Sequence, residues 1–307
     1  MRVAVIVNPA AGGGRMGRLW PSAQAALARR LAPINVAMTQ GPGDGRRLAA
    51  DFARQGMELI IAAGGDGTAS EVADGILNAA AAGAKTSDLA LLPVGTGSDL
   101  ARSLGISRDF DVLAEAIAAD PPRHLDAAQL SYRLEDGSVE HRHVLNIASL
   151  GISADIARAV NASPKRLLTG KGLFAWHTLR ELAVYRGVEL SVRIDGAAVF
   201  SGPSALVAVA NNHSFAGGMM IAPDARMDDG LLDVVVVRDA PRLTLIRALR
   251  LVYDGSHRHL DLCSFHRGST VEIAAPSGKA GLEIDGETAG FTPVSVRVLP
   301  QALRLRG

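Results

Sequence analysis

The stretch LIIAAGGDGTASEV, residues 59–72, decides how this chain reads. Leu59–Ala63 is a short apolar run of the kind that forms a buried strand. Gly64-Gly65-Asp66-Gly67 breaks it, and from Thr68 to about Ala82 the spacing is helical. A turn of this kind, between strand and helix, lies at the carboxyl end of an open α/β sheet, where such folds bind ligands. Glycines let the backbone approach phosphate oxygens closely, and the helix N-terminus adds a favourable field. Asp66 puts an acid beside that anion site, which makes sense where Mg2+ or a water network lies between the two. Thr68 can cap the helix and bond a phosphate. Taken alone, the segment also fits a tight turn with an ordinary cap.

The same pattern recurs on either side. Val3–Val7 runs into Asn8-Pro9-Ala10-Ala11-Gly12-Gly13-Gly14, and Leu89–Leu92 runs into Pro93-Val94-Gly95-Thr96-Gly97. Between them the spacing predicts helices over 19–31 and 45–55, the second capped by Asp44, and a strand over 34–38. Short apolar strands alternating with helices indicate a parallel sheet covered on both faces. Three glycine-rich loops along one sheet edge suggest one extended polyphosphate ligand. Gly12-x-Gly14-x-x-Gly17 formally matches the dinucleotide fingerprint, but Asn8-Pro9 intervenes and no acid ends the second strand at Val36–Gln40. A dehydrogenase is therefore the weakest reading. Neither a P-loop nor the protein-kinase motif set is present, and Thr169-Gly170-Lys171-Gly172 lacks the upstream glycine and the following Ser/Thr.

The rhythm changes near Leu125. Strand-like segments flank Glu135-Asp136-Gly137-Ser138 and Asp195-Gly196, both hairpin signals, and further strands are expected at 206–210, 231–237, 270–274 and 294–299. This half reads as an antiparallel sandwich or barrel, interrupted by helices at about 173–186 and 241–252. The expected division is residues 1–126 and 127–299, with 300–307 returning to the first domain. Pro241–Tyr253 is basic and amphipathic; packing on the sandwich is the expected role, and contact with anionic lipid the other.

Composition narrows the function. Aromatics are 4% of the chain and the formal net charge is +1, which argues against a nucleic-acid surface. The one cysteine, Cys263, cannot form an internal disulfide, and the chain reads as intracellular. The apolar opening stops at Asn8-Pro9, too short for a signal segment, and no run approaches the ~20 apolar residues of a membrane span. A lipid substrate would be met from the membrane surface. His141-x-His143 and His257-x-His259 have no third ligand at helpful spacing for zinc.

At this point the sequence resembles a known family. Gly64–Val72, with Asp74-Gly75-Ile76 after it, is similar to the GGDGTxxEVxNG signature of diacylglycerol, sphingosine and ceramide kinases and their bacterial relatives. Val7–Gly14 resembles their NPxxG opening and Leu92–Ala101 their LPxGTxNDFA segment. The resemblance continues through Asn211–Met219 and Pro223–Asp233 and ends at Ile284-Asp285-Gly286-Glu287, so it covers nearly the whole chain in order. GGDG alone is shared with NAD kinases and phosphofructokinases. The family's Asn is Asp74 here, and the Asn of GTxND is Ser98.

The resemblance implies an N-terminal parallel-sheet nucleotide-binding domain and a C-terminal antiparallel β-sandwich. It implies ATP held by Asn8, Thr39, Gly64, Gly65, Asp66, Gly67, Thr68, Glu71, Gly95 and Thr96. A Mg2+ site is implied at Asp229 with the backbone carbonyls of Arg226 and Leu231. Asp285 and Glu287 are implied as the catalytic carboxylates; which of them is the base stays open. The implied reaction moves a phosphoryl group to a hydroxyl of a diacylglycerol-like or sphingoid lipid. The implied location is cytoplasmic with peripheral contact at the inner membrane surface, no nucleic acid is involved, and the oligomeric state is open, a homodimer included. The alternatives are an NAD kinase-like enzyme on a soluble acceptor and a non-catalytic nucleotide-binding regulator.

Overall fold

Val3–Val7 (β1) is apolar and wholly buried, as a strand covered on both faces must be. It pairs parallel with Ile34–Met38 (β2) on one side and Leu59–Gly64 (β3) on the other. β3 pairs parallel with Asp88–Pro93 (β4), and Leu305 and Arg306 near the C-terminus pair parallel with Leu89 and Ala90 of β4. The connecting helices are Ala11–Leu31 (α1), Asp44–Arg54 (α2), Asp66–Ala81 (α3), Asp99–Ser103 (α4) and Phe110–Ala119 (α5). The computed structural model describes residues 1–94, 98–162, 171–276 and 278–307, the side chains of 171–175 and 179 excepted. Gly95 and Thr96, two expected nucleotide contacts, and the side chain of Lys171 lie outside the described residues.

The chain forms two compact units, residues 1–127 with 300–307, and residues 128–299. In unit 1, α2 lies against α3 because Gly75 presents no side chain: a Cβ there would sit 2.7 Å from Ala49 Cβ. The same contact buries Asp74, whose Oδ2 lies 2.6 Å from Arg46 Nε on α2. Asp44 is not the α2 cap that the sequence suggests. Gly43 precedes the helix in the left-handed region, and Asp44, inside the first turn, accepts from Gln40 N at 2.8 Å. α3 begins two residues before Thr68, so the turn itself becomes helix.

Unit 2 takes its strands from the later part of the chain. They are Arg123–Arg133 (β5), Val139–Val144 (β6), Ile147–Gly151 (β7), Val188–Ile194 (β8), Ala197–Ala210 (β9), Leu232–Arg238 (β10), Cys263–Gly268 (β11), Thr270–Ala274 (β12), Gly281–Ile284 (β13) and Glu287–Arg306 (β14). β5 begins and β14 ends in unit 1. The pairings β5–β6, β7–β9, β8–β9, β9–β10, β10–β11, β12–β8, β12–β14, β13–β7 and β13–β14 are antiparallel. Strand alternation builds two cores. Val207, Val209, Val234 and Val236 join Leu130, Leu150, Val192 and Val296 inside the sandwich. Ala208, Ala210, Val235 and Val237 face the other way, into a second core. That outer core is covered by Ile152–Ala162 (α6), Lys171–Val184 (α7) and Arg242–Val252 (α8), through Ile156, Leu182 and Leu245. Leu245, Ile246, Leu249 and Val252 of α8 pack on this core, while Leu243 and the three arginines of the helix are exposed.

Candidate active site

The carboxyl ends of β1 to β4 open along one edge of the unit 1 sheet. Backbone bonds carry the ladder into the loops: Asn8 N donates to Ala63 O at 2.9 Å, Thr39 N to Val7 O at 2.8 Å and Val94 N to Gly64 O at 3.0 Å. Asn8 Nδ2 donates to Thr68 Oγ1 at 3.0 Å, and Asn8 Oδ1 accepts from Ala10 N at 3.1 Å. The structure therefore brings together Asn8, Thr39, Gly64, Gly65 and Thr68. A Cβ on Gly64 would lie 2.7 Å from that of Thr68, whereas one on Gly65 would meet nothing within 4 Å. α3 starts at Asp66, with Gly67 in its first turn, and no side chain caps its N-terminus. Its first N–H groups and the helix field suit an anion, and the space beside Gly65 suits a ligand that comes close to the backbone. These features fit a polyphosphate.

The acids of this segment are directed elsewhere. Asp66 Oδ2 accepts from Asp99 N at 2.8 Å and Oδ1 from Leu100 N at 3.2 Å, so its carboxylate caps α4. A metal or water network beside the phosphate is not needed to account for it. Glu71 Oε1 accepts from Gly43 N at 2.7 Å and Oε2 from Gly45 N at 2.8 Å, so Glu71 shapes the loop before α2. Asp74, where the family pattern has Asn, is held by Arg46 and by Asn78 Nδ2 at 2.8 Å and lies away from the edge.

In unit 2, Asp285 and Gly286 form the turn between β13 and β14, with φ of 50° and 89°. Positive φ at both central residues is the hairpin pattern that matches strand twist, and Gly adopts it without strain. Asp285 Oδ1 accepts from Ile147 N at 3.2 Å. Glu287 starts β14 with its side chain 47% exposed, and Arg142 on β6 lies 3.3 Å from its Oε2. Sequence reasoning missed the acid beneath them. Glu283 on β13 is 3% exposed. Burial pushes its carboxyl up to about 7, with the Asp285 charge adding to the rise and bonds from Ser149 and Gly286 opposing it. The available signal was an acid inside the apolar run Gly281-Leu282-Glu283-Ile284.

The 223–233 loop differs from its expected role. Asp229 Oδ1 accepts from Leu231 N at 3.1 Å, and Oδ2 pairs with the Arg267 guanidinium. Arg267 Nε also lies 3.3 Å from Asp233 Oδ1, whose carboxyl burial holds above the usual range. Arg226 pairs with Asp228 at 3.1 Å. Among the described residues no group of three His, Cys, Asp or Glu side chains could hold a metal ion. The Arg267 guanidinium thus pairs with the carboxylate expected to bind Mg2+ together with the Arg226 and Leu231 carbonyls, and shares itself with Asp233.

Comparison with known proteins agrees with these features. Residues 2–130 match the family model "Diacylglycerol kinase catalytic domain", and residues 146–307 match "YegS C-terminal NAD kinase beta sandwich-like domain". A diacylglycerol kinase of Bacillus subtilis (strain 168) is 31% identical over 255 residues, covering 82% of this chain and 78% of the relative. The crystal structure of a diacylglycerol kinase from Bacillus anthracis str. Sterne has a TM-score of 0.71 at 21% identity, over 99% of this chain and 96% of that one. An NAD kinase from Archaeoglobus fulgidus in complex with ATP has a TM-score of 0.54 at 16% identity, over 100% of this chain and 94% of that one. The two structural likenesses speak for fold alone, while the matched family models and the Bacillus subtilis relative show the family: the chain belongs to the diacylglycerol kinase family.

Proposed function

We propose that the protein is a lipid kinase that uses ATP to phosphorylate a hydroxyl of a diacylglycerol-like or sphingoid lipid. One observation carries the nucleotide part. The sheet edge at Asn8, Thr39 and Gly64–Thr68 is made of backbone and glycine, ends in an uncapped helix N-terminus, and has its own acids turned to other partners. An edge of that kind accepts a polyanion without charge repulsion. Gly95 and Thr96, which lie outside the described residues, belong to the same proposal through the sequence resemblance.

The Asp285–Glu287 turn supplies the opposite chemistry. Transfer to an alcohol needs an acceptor for the hydroxyl proton, and one well-placed carboxylate is enough. Asp285 is engaged by a backbone N–H, while Glu287 is half-exposed beside a single guanidinium. Both are proposed as essential, Glu287 as the more accessible acceptor and Asp285 as the residue that shapes the turn. Mg2+ belongs to this reading as the ion that accompanies ATP, where it neutralises phosphate charge. It is not proposed as a resident of the 223–233 loop, where Asp229 pairs with Arg267. No helix among the described residues is long and apolar enough to cross a membrane, and peripheral contact with a lipid surface is the proposed mode of substrate access.

The experiment that tests the reading offers ATP and Mg2+ with lipid micelles in one arm and with NAD in the other. ATP consumption that depends on lipid supports it. Consumption that depends on NAD alone moves the protein to a soluble acceptor, and nucleotide binding without turnover in either arm makes it a regulator.

A further inference from the structure

Glu283 sits opposite Ser149 in the β13–β7 ladder and is sealed from solvent. Its Oε1 accepts the N–H of Gly286, the central glycine of the turn. Its Oε2 bonds Ser149 Oγ, which lies 2.8 Å from Ser153 Oγ at the start of α6. One buried carboxyl therefore grips the backbone of the Asp285–Glu287 turn and connects through the Ser149 hydroxyl to half-buried Ser153.

We propose that Glu283 is a proton-linked positioning residue: its carboxylate fixes the Gly286 amide, and the Asp285–Glu287 turn is held firmly only while Glu283 is ionised. This rests on the reading that the turn takes part in phosphoryl transfer. An N–H bond to a charged carboxylate is roughly twice as strong as one to a neutral carbonyl. When Glu283 ionises, the Ser149 hydrogen points to Oε2. When Glu283 takes up a proton on Oε2, that hydrogen is donated to Ser149 Oγ, the Ser149 hydrogen turns to Ser153, and Oε1 becomes the weaker acceptor of a neutral acid. Ser149 can serve both states because a hydroxyl donates and accepts.

The groups around Glu283 set where the change occurs. From the turn comes Asp285, whose charge adds to the effect of burial. From β14 comes Glu287, paired with Arg142 of β6 at 3.3 Å. From α6 come Asp155 and Arg158, paired with each other at 2.8 Å, which leaves little net field. Burial is the largest cause, and it brings the carboxyl to about 7, so the two states exchange near neutrality.

The test measures kcat against pH for wild type, Glu283→Gln and Ser149→Ala, with γ-labelled ATP and diacylglycerol micelles, alongside the 15N–1H shift of the Gly286 amide. Wild type is expected to lose turnover on the acid side with a midpoint near 7, and the Gly286 shift to follow the same midpoint. In Glu283→Gln the amide oxygen still accepts from Gly286 but never carries charge. Its kcat should fall about tenfold with an unchanged KM for ATP, and both its acid limb and its Gly286 titration should vanish. Ser149→Ala removes a bond that favours the carboxylate, so both midpoints should move to higher pH. A Gly286 shift that ignores pH in wild type, or limbs unmoved in both variants, overturns the proposal. Should Glu283→Gln fail to fold, Ser149→Ala decides. A wild type that phosphorylates no lipid counts against the functional reading instead, and the Gly286 titration then still decides the positioning role.

Discussion

Both units surround their key turns with carboxylates and use them in opposite ways. In unit 1, Asp66, Glu71 and Asp74 are each held by backbone N–H groups or an arginine, and the glycine edge keeps no acid of its own. In unit 2, Glu283, Asp285 and Glu287 gather within five residues, with Arg142 the one guanidinium paired with them among the described residues. The first arrangement welcomes a polyanion and the second can take up a proton. A kinase needs both, and they conflict if built from the same residues. The difference teaches that charge placement, more than residue inventory, separates the two roles.

The comparison can be broken at its strongest point in unit 1. Asp74→Ala leaves Arg46 facing a buried apolar contact, and should destabilise the protein by about 3 kcal/mol, the low end for a broken buried pair because the Arg46 side chain is 29% exposed. Urea unfolding measures it. Asp74→Asn, which restores the family residue, should cost clearly less, because its Oδ1 can accept from Arg46 while its NH2 donates to the Asn78 oxygen once that amide turns round. Equal losses would mean that the charge, which both variants remove, is what matters there and the hydrogen bonds kept by the amide are not.

The unit 2 carboxyl has a comparable effect with a definite sign. The folded-state value of Glu283, about 7, lies above its ordinary 4.5, so the folded protein holds the proton more tightly than the unfolded one. That contribution to stability is fully present below 4.5 and is lost as pH rises through 7. At about 1.36 kcal/mol per unit, wild type should lose about 3 kcal/mol across this window relative to Glu283→Gln. Thermal or urea unfolding at a series of pH values checks the difference in slope.

A third substitution sharpens the claim that the glycine edge must stay free of acid. Gly65 has φ −99° and ψ −171°, open to any residue, and Asp is a favoured N-cap. Gly65→Asp should therefore fold at least as well as wild type yet bind ATP about 100-fold more weakly, about 2.7 kcal/mol by calorimetry. The smallest effect concerns the bond that ties the first loop to the second. Thr68→Ala removes the partner of Asn8 and should cost about 1 kcal/mol in stability, with a matching rise in KM for ATP.

Unit 1 is legible because its proposed site is made of backbone. Glycine between an apolar strand and a helix declares a special turn wherever it occurs, and Gly64–Thr68 lies at the sheet edge as that pattern requires. What the pattern hid was the direction of side chains. Asp66 and Glu71 look like ligand residues in sequence, but their carboxylates accept from amides at the start of α4 and at the start of α2, thirty or so positions away. Unit 2 was less legible for the same reason. Asp285-Gly286 signals a hairpin, yet the role of Glu283 depends on Ser149 lying opposite it, a pairing between residues far apart in the chain. The 223–233 loop offered hard oxygens in sequence, and Arg267 on β11, unrelated by any local pattern, pairs with two of its carboxylates, Asp229 and Asp233.

The most direct measurement follows labelled γ-phosphate from ATP into extracted diacylglycerol, with wild type, Asp285→Ala and Glu287→Ala compared at equal ATP occupancy. The expected result is label in the lipid for wild type, with turnover reduced about 100-fold or more in both variants and ATP affinity unchanged. Variants that transfer phosphate at the wild-type rate would contradict the division of roles between the glycine edge and the carboxylate turn.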